Sequence, residues 1–189
     1  SHDLQAPLRH IVDHGKILQQ EASGALTDEA ARSLRIVTDS AERMQTMIRC
    51  LLAYSRVHTR GEEAVDVDCG VLLAEVQEEL AAAIAHEEAE ITHDPLPTIR
   101  ADRGQLKTVF YHLIDNAIRY RRDAAPRIHV DARFIGGEWE FSIEDNGMGI
   151  EPRSFERIFV IFQRLYRDEE IPGDGLGLAL CKRIVERHG

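Results

Sequence analysis

From Leu34 to Ser55, the residues Leu34, Val37, Ala41, Met44, Ile48, Leu51 and Ser55 recur at steps of three and four over three heptads. That spacing puts them on one stripe of a helix and is the pattern of a coiled-coil seam. Met47 and Leu52 widen the stripe beyond what a two-stranded seam buries. Upstream, Leu4, Leu8, Ile11, Gly15 and Leu18 also share one helical face. Ser23-Gly24 signals a turn between the two helices, and Thr27 or Asp28 is a good N-cap for the second. Two helices joined by a short turn cannot bury so wide a stripe, whereas two such hairpins packed as a four-helix bundle can. Residues 1–58 are therefore expected to form a helical hairpin that makes a homodimer, the alternative being an intramolecular hairpin docked on the second module.

The heptad breaks over residues 59–66, a polar stretch read as a linker, and beyond it the hydrophobic period is mixed. Val71 to Ile84 and Asp102 to Tyr120 read as helices, and Glu90 to His93 and Thr98 to Arg100 as short strands. Arg127 to Ile135 and Trp139 to Glu144 alternate on either side of Gly136-Gly137, which predicts a hairpin. A long irregular stretch runs from Asn146 to Gly175, and a helix from Leu176 to His188 closes the chain. A loop of that length inside a compact domain usually has a functional reason, such as a lid over a ligand. The expected fold class is α+β: a two-helix hairpin, then an α/β sandwich over residues 67–189 that carries one mobile flap.

Charge and cysteine usage narrow the partners. A formal net charge of -10 argues against nucleic acid or an anionic membrane as the main partner, because both need clustered cations. Cys50, Cys69 and Cys181 lie far apart with no CxxC spacing, which fits a reducing, cytoplasmic setting and no structural zinc. No stretch approaches the roughly 20 apolar residues of a membrane span. The chain opens at Ser1-His2 inside the first helix, so it is expected to be part of something longer, with the sensing region elsewhere.

The chemistry concentrates in glycines and one helix. Asp145-Asn146-Gly147-Met148-Gly149-Ile150 follows an apolar strand, and Gly173-Asp174-Gly175-Leu176-Gly177-Leu178 precedes a helix. Glycine allows close backbone approach, and a glycine-rich turn entering a helix offers free N–H groups to phosphate. Neither element continues into Gly-Lys-Ser/Thr, and the strand–turn–helix order of a dinucleotide fold is missing. On the helix between them, His112 and Asn116 form an i, i+4 pair. An asparagine there can offer oxygen to octahedral Mg²⁺, and Arg119 can reach phosphates.

Taken in order, these pieces resemble the two-component sensor histidine kinases. Ser1-His2-Asp3-Leu4-Gln5-Ala6-Pro7-Leu8 resembles the family's H box, and Asp115-Asn116-Ala117-Ile118-Arg119-Tyr120 its N box. Asp145 to Ile150 and Gly173 to Leu178 resemble the two glycine boxes, and Phe155-Glu156-Arg157-Ile158-Phe159 with Phe162 the F box. Ile161 to Tyr166 and Cys181 to Gly189 look most like the kinases attached to phytochrome-type photoreceptors. The resemblance implies an ATP-binding sandwich of the histidine kinase, Hsp90 and gyrase type, its last strand absent from this sequence. It implies autophosphorylation of His2 with ATP and Mg²⁺, then transfer to an aspartate of a response regulator receiver domain.

Residue roles follow from the same resemblance. His2 takes the phosphoryl group, and Asp3 accepts from the imidazole or takes its proton. Asp145 accepts from the adenine amino group, Asn116 holds Mg²⁺, and Arg119 and Tyr120 contact phosphate or ribose. Gly147, Gly149, Gly173, Gly175, Gly177 and Leu178 shape the pocket and hinge the lid. Physical chemistry is compatible with these roles. His2 lies about 200° round the helix from Leu4, on the water side, and imidazole can be neutral near pH 7. Pro7 removes the bond to the Asp3 carbonyl, which predicts a bend past the histidine. Phe155, Phe159 and Phe162 follow a helical step and are read as the lid's docking face.

Three positions depart from the family pattern. Ala6 replaces a Thr or Asn that would orient a water, so phosphatase chemistry is not carried over. His112 replaces an Asn, and imidazole is a poor Mg²⁺ ligand, which predicts a weaker or water-mediated metal contact. Asp174 replaces Thr or Ser and sets a negative charge near the triphosphate. Two rival readings are an ATPase on the same fold and a degenerate kinase that only relays phosphate or dimerises. The first would need a Glu where His112 stands, and the second is opposed by the completeness of the nucleotide motifs.

Overall fold

The computed structural model describes residues 2–22, 24–59, 62–165 and 175–189, with side chains throughout except at 2–5, 49–50, 53 and 56–59. It divides into two compact units, Ser1–Ser55 and Arg56–Gly189.

The first unit is a hairpin of α1 (His2–Glu21) and α2 (Asp28–Thr59), the latter running a few residues into the second unit. α1 continues through Pro7 as one helix. Thr27 caps α2, its Oγ1 accepting the N–H of Ala30 at 3.2 Å, and Asp28 and Glu29 set negative charge on the helix N-terminus. The helices meet through small residues. Val12, Thr38 and Ala41 are buried, and a Cβ on Gly15 would lie 2.5 Å from Thr38 Oγ1. Glycine is therefore required at 15 for this close approach. Ile11, Leu18, Val37, Met44 and Leu51 stay exposed.

The second unit is an α/β sandwich. Its elements in order are β1 (Val65–Asp68), α3 (Cys69–Glu79), α4 (Ala81–Glu87), β2 (Glu90–His93), β3 (Thr98–Ala101) and α5 (Arg103–Arg119). β4 (Arg127–Ile135), β5 (Glu138–Asp145) and α6 (Gly177–His188) follow, with two short 3₁₀ turns, Pro152–Ser154 and Arg157–Phe159, between the last two. β4 is central, pairing parallel with β2 and antiparallel with β5, while β1 and β3 form a separate antiparallel pair. Leu72, Leu73 and Val76 of α3 pack with Phe110, Ile114 and Ile118 of α5 against Ile128 and Val130 of β4. A smaller apolar cluster joins α6 to α5 through Val109, Leu180, Cys181 and Ile184.

Two local expectations change. β1 starts inside the stretch read as linker. The single helix expected over Val71–Ile84 is two, α3 and α4, divided at Leu80 (φ −93, ψ 6). The irregular stretch from Asn146 holds only the short 3₁₀ turns Pro152–Ser154 and Arg157–Phe159 among its described residues, with Phe162 at φ +65. Cys69 and Cys181 are free and buried, and burial pushes their thiols up to about 11 and about 12. They are packing residues, inert at neutral pH.

Candidate active site

α5 organises the site. Asp102 caps it, Oδ1 accepting the Gln105 N–H at 3.1 Å, and Ile114, Ala117 and Ile118 anchor its inner face in the core. His112, Asn116 and Tyr120, spaced by four, form one stripe about 12 Å long. Each end of that stripe carries a glycine element. At Tyr120, the helix C-cap, the main-chain carbonyl accepts the Met148 N–H at 2.9 Å, and a Cβ on Gly147 would lie 2.5 Å from that same oxygen. At His112, a Cβ on Gly177 would come within 3.1 Å of Nδ1. Asn116, half-buried, lies midway between the two contacts.

Asp145 ends β5 opposite Ile128. Alternation puts its side chain on the helix-covered face of the sheet, in line with Ile143 and Phe141. Because it is exposed there, the carboxylate sits where the apolar interior opens to solvent. Its Oδ1 accepts the Gly147 N–H at 2.7 Å, which folds the first glycine turn back towards α5. Gly149 follows at φ +70.

Arg119 is half-exposed, and its Nε donates to Asp115 Oδ1 at 2.9 Å, one turn back on α5. The second glycine run closes the base of the loop. Gly175 has φ +67, and its carbonyl accepts the Phe162 N–H at 3.1 Å. Leu176 is buried, and Leu178 is half-buried in the first turn of α6. Phe155, Phe159 and Phe162 are exposed, and the Lys182 ammonium lies 5.5 Å from the Phe159 ring centroid. Gly173 and Asp174 lie outside the described residues. His2 and Asp3 are in the first turn of α1, their side chains also outside the description.

The structure therefore brings Asn116, Tyr120, Asp145, Gly147 and Gly177 around one helix, with Gly149 further along the first glycine turn and Arg119 on the neighbouring face. Sequence reasoning gave no role to two residues here. Asn146 Oδ1 accepts the Arg127 N–H at 2.8 Å while Nδ2 donates to the Ala125 carbonyl at 3.0 Å, and Arg122 Nη2 donates to the Met148 carbonyl at 3.3 Å. The available signal was the Asp-Asn-Gly turn at a strand end, where an Asn side chain can stand in for backbone.

Residues 101–189 match the family model of the histidine kinase-, DNA gyrase B-, and HSP90-like ATPases. The relatives of the whole chain are phytochrome-type and other sensor histidine kinases. Cyanobacterial phytochrome A of Nostoc sp. is 42% identical over 188 residues, covering all of this chain and 25% of that protein. The methanogenesis regulatory histidine kinase FilI of Methanothrix harundinacea is 29% identical over 191 residues, covering all of this chain and 21% of the other. The crystal structure of full-length ShkA in complex with AMPPNP superposes with a TM-score of 0.67 at 27% identity, over 98% of this chain and 39% of ShkA. The chain spans about a quarter of the length of these two curated relatives and about half that of the SasA sensory kinases.

Proposed function

We propose that this chain is the kinase core of a sensor histidine kinase, which binds ATP with Mg²⁺, phosphorylates His2 and passes the phosphoryl group to a receiver-domain aspartate. The observation that carries the reading is the bracketing of Asn116 by two glycine elements docked on one helix, with the Asp145 carboxylate beside the first. An adenine amino group needs an acceptor at the mouth of an apolar slot, and Asp145 is such an acceptor. Phosphates need close backbone N–H donors, and the N-terminus of α6 beyond Gly175 supplies them. Arg119 and Tyr120 lie one turn further along α5, within reach of ribose or phosphate.

Asn116 fits Mg²⁺. Its amide gives a hard oxygen from a fixed helical position, and Mg²⁺ takes few protein ligands because phosphates and water complete its shell. The bound ion would neutralise charge on the phosphates. This chain's residues do the rest by positioning, which is most of what phosphoryl transfer asks of a protein. A neutral His2 nitrogen attacks the γ-phosphorus, forming an N–P bond as the β–γ bridging P–O bond breaks and ADP leaves, and Asp3 takes the imidazole proton. In the second step a receiver carboxylate attacks phosphorus, the N–P bond breaks, and the imidazole regains a proton.

The hairpin is proposed to dimerise through the stripe left exposed on α1 and α2. We place this core in the cytoplasm, where ATP and receivers are found; among the described residues, no helix is long and apolar enough to cross a membrane. With ATP and Mg²⁺ the chain, within its full-length protein, should acquire an acid-labile, alkali-stable label that His2→Ala abolishes. Label persisting in that variant would refute the assignment of the phosphorylated residue. Asp145→Asn should lose nucleotide binding, while Asn116→Asp should lose transfer more than affinity.

A further inference from the structure

The hydrogen-bonded ladder between β4 and β5 ends at the pair Ile128 and Asp145. One residue on, the backbone leaves the sheet, because the Gly147 N–H turns to Asp145 Oδ1 and the Met148 N–H to the Tyr120 carbonyl. A side chain takes over the rung that the backbone abandons. Asn146 Oδ1 accepts from the Arg127 N–H and Nδ2 donates to the Ala125 carbonyl, so the amide acts as one more residue of strand. An N–H on one side and a C=O on the other fix which end of the amide faces which.

The segment that Asn146 grips is held elsewhere too. Arg121 pairs with Glu87 of α4, whose carboxyl is held below the usual range by hydrogen bonds to His86 and then Arg121. The Pro126 carbonyl accepts the Glu90 N–H at 2.8 Å, tying the segment to β2, and Arg122 reaches the Met148 carbonyl. Asn146 thus joins the end of β5 by two bonds to a strap anchored on α4 and β2. Asp145, immediately before it, is held by the last ladder rung on one side and by this amide on the other.

We infer that Asn146 is a positioning residue for base selection, fixing the Asp145 carboxylate where it accepts from the 6-amino group of adenine and not from the 6-oxo edge of guanine. The inference rests on the reading of Asp145 as the base-recognising carboxylate. A site built to hydrogen-bond one group rejects an analogue lacking it by large factors, but only while the partner is held in place. Releasing Asn146 costs two neutral hydrogen bonds, each a modest net contribution. Its main effect is therefore on where Asp145 points and not on whether the unit folds.

The test is equilibrium binding of ATP and of GTP, each with Mg²⁺, to the full chain and to Asn146→Ala, Asn146→Asp and Asp145→Asn, with thermal melting of each. Native protein should prefer ATP. Asn146→Ala should weaken ATP about tenfold, leave GTP within about twofold, and so cut the ATP:GTP preference about tenfold while remaining folded. Asn146→Asp keeps the shape and the acceptor but sets an oxygen against the Ala125 carbonyl, so it should lose preference at least as far. An unchanged ATP:GTP preference in both Asn146 variants, with Asp145→Asn impaired, would overturn the positioning role alone. Equal loss of both nucleotides with a lowered melting temperature would also overturn it, as a purely structural role. ATP binding that survived in Asp145→Asn would instead overturn the reading of the nucleotide site.

Discussion

Gly147 and Gly149 stand two apart in the same turn, yet they are glycine for different reasons. At Gly147 the limit is space, because an added methyl would lie 2.5 Å from the Tyr120 carbonyl and 2.7 Å from Asp145 Oδ1. The nearer atom is backbone at the cap of α5, so the turn itself must move. At Gly149 nothing lies within 4 Å of the added atom, and the limit is φ +70, which costs a side chain about 1–2 kcal/mol. Gly147→Ala should therefore weaken ATP binding by well over tenfold, and Gly149→Ala by less, in titrations with a fluorescent ATP analogue. The reverse order would mean that the turn is not seated on Tyr120. That a glycine turn follows the apolar strand here was legible in the sequence. Which of them touches α5 was not, because the contact is with a backbone oxygen, and no residue type advertises that.

At the scale of elements, α5 carries the site, and its first turn is tied to distant parts of the second unit by Asp102. This buried carboxylate accepts from Gln105 through Oδ1 and from the Glu62 N–H through Oδ2 at 2.7 Å, and Arg187 lies 4.0 Å from Oδ2. The Asp102 N–H donates to His188 Nε2 at 3.2 Å. Asp102→Ala removes a cap and leaves the Glu62 N–H without its partner, so it should destabilise the unit by about 2 kcal/mol in urea unfolding. Asp102→Asn keeps one acceptor and should cost less. A loss in Asp102→Asn as large as in Asp102→Ala would show that the charge and the paired acceptors, and not the one retained acceptor, hold the turn. β4, β5 and α5 were legible because alternation and helical period follow burial on one face. β1 was not, since only Val67 of its four residues is buried and its neighbours are acidic. The division of α3 from α4 at Leu80 carries no Gly or Pro signal, and the Asn146 rung is invisible without the fold that brings residues 125 and 127 beside it.

At the scale of the molecule, the heptad read from the sequence proves to serve two surfaces. Ala41 turns inward with Thr38 against Gly15 and Val12, whereas Val37, Met44 and Leu51, each seven apart, are 53%, 45% and 54% exposed. Ile11 and Leu18 on α1, also seven apart, are 44% and 52% exposed. A heptad-spaced apolar stripe on both helices of a hairpin is the pattern one bundle half presents to another, and so much exposed apolar surface is unusual on a monomer. Val37→Glu with Leu51→Glu sets two charges on that stripe and leaves the buried contact of the hairpin untouched. Light scattering should give twice the 21.4 kDa chain mass for the native protein and a single chain mass for the double variant at tens of micromolar. ATP titrations should be unchanged, because the residues proposed to bind nucleotide all lie in Arg56–Gly189. A native protein that ran as a monomer would refute the dimer, and a variant that stayed dimeric would place the contact between copies on some other face.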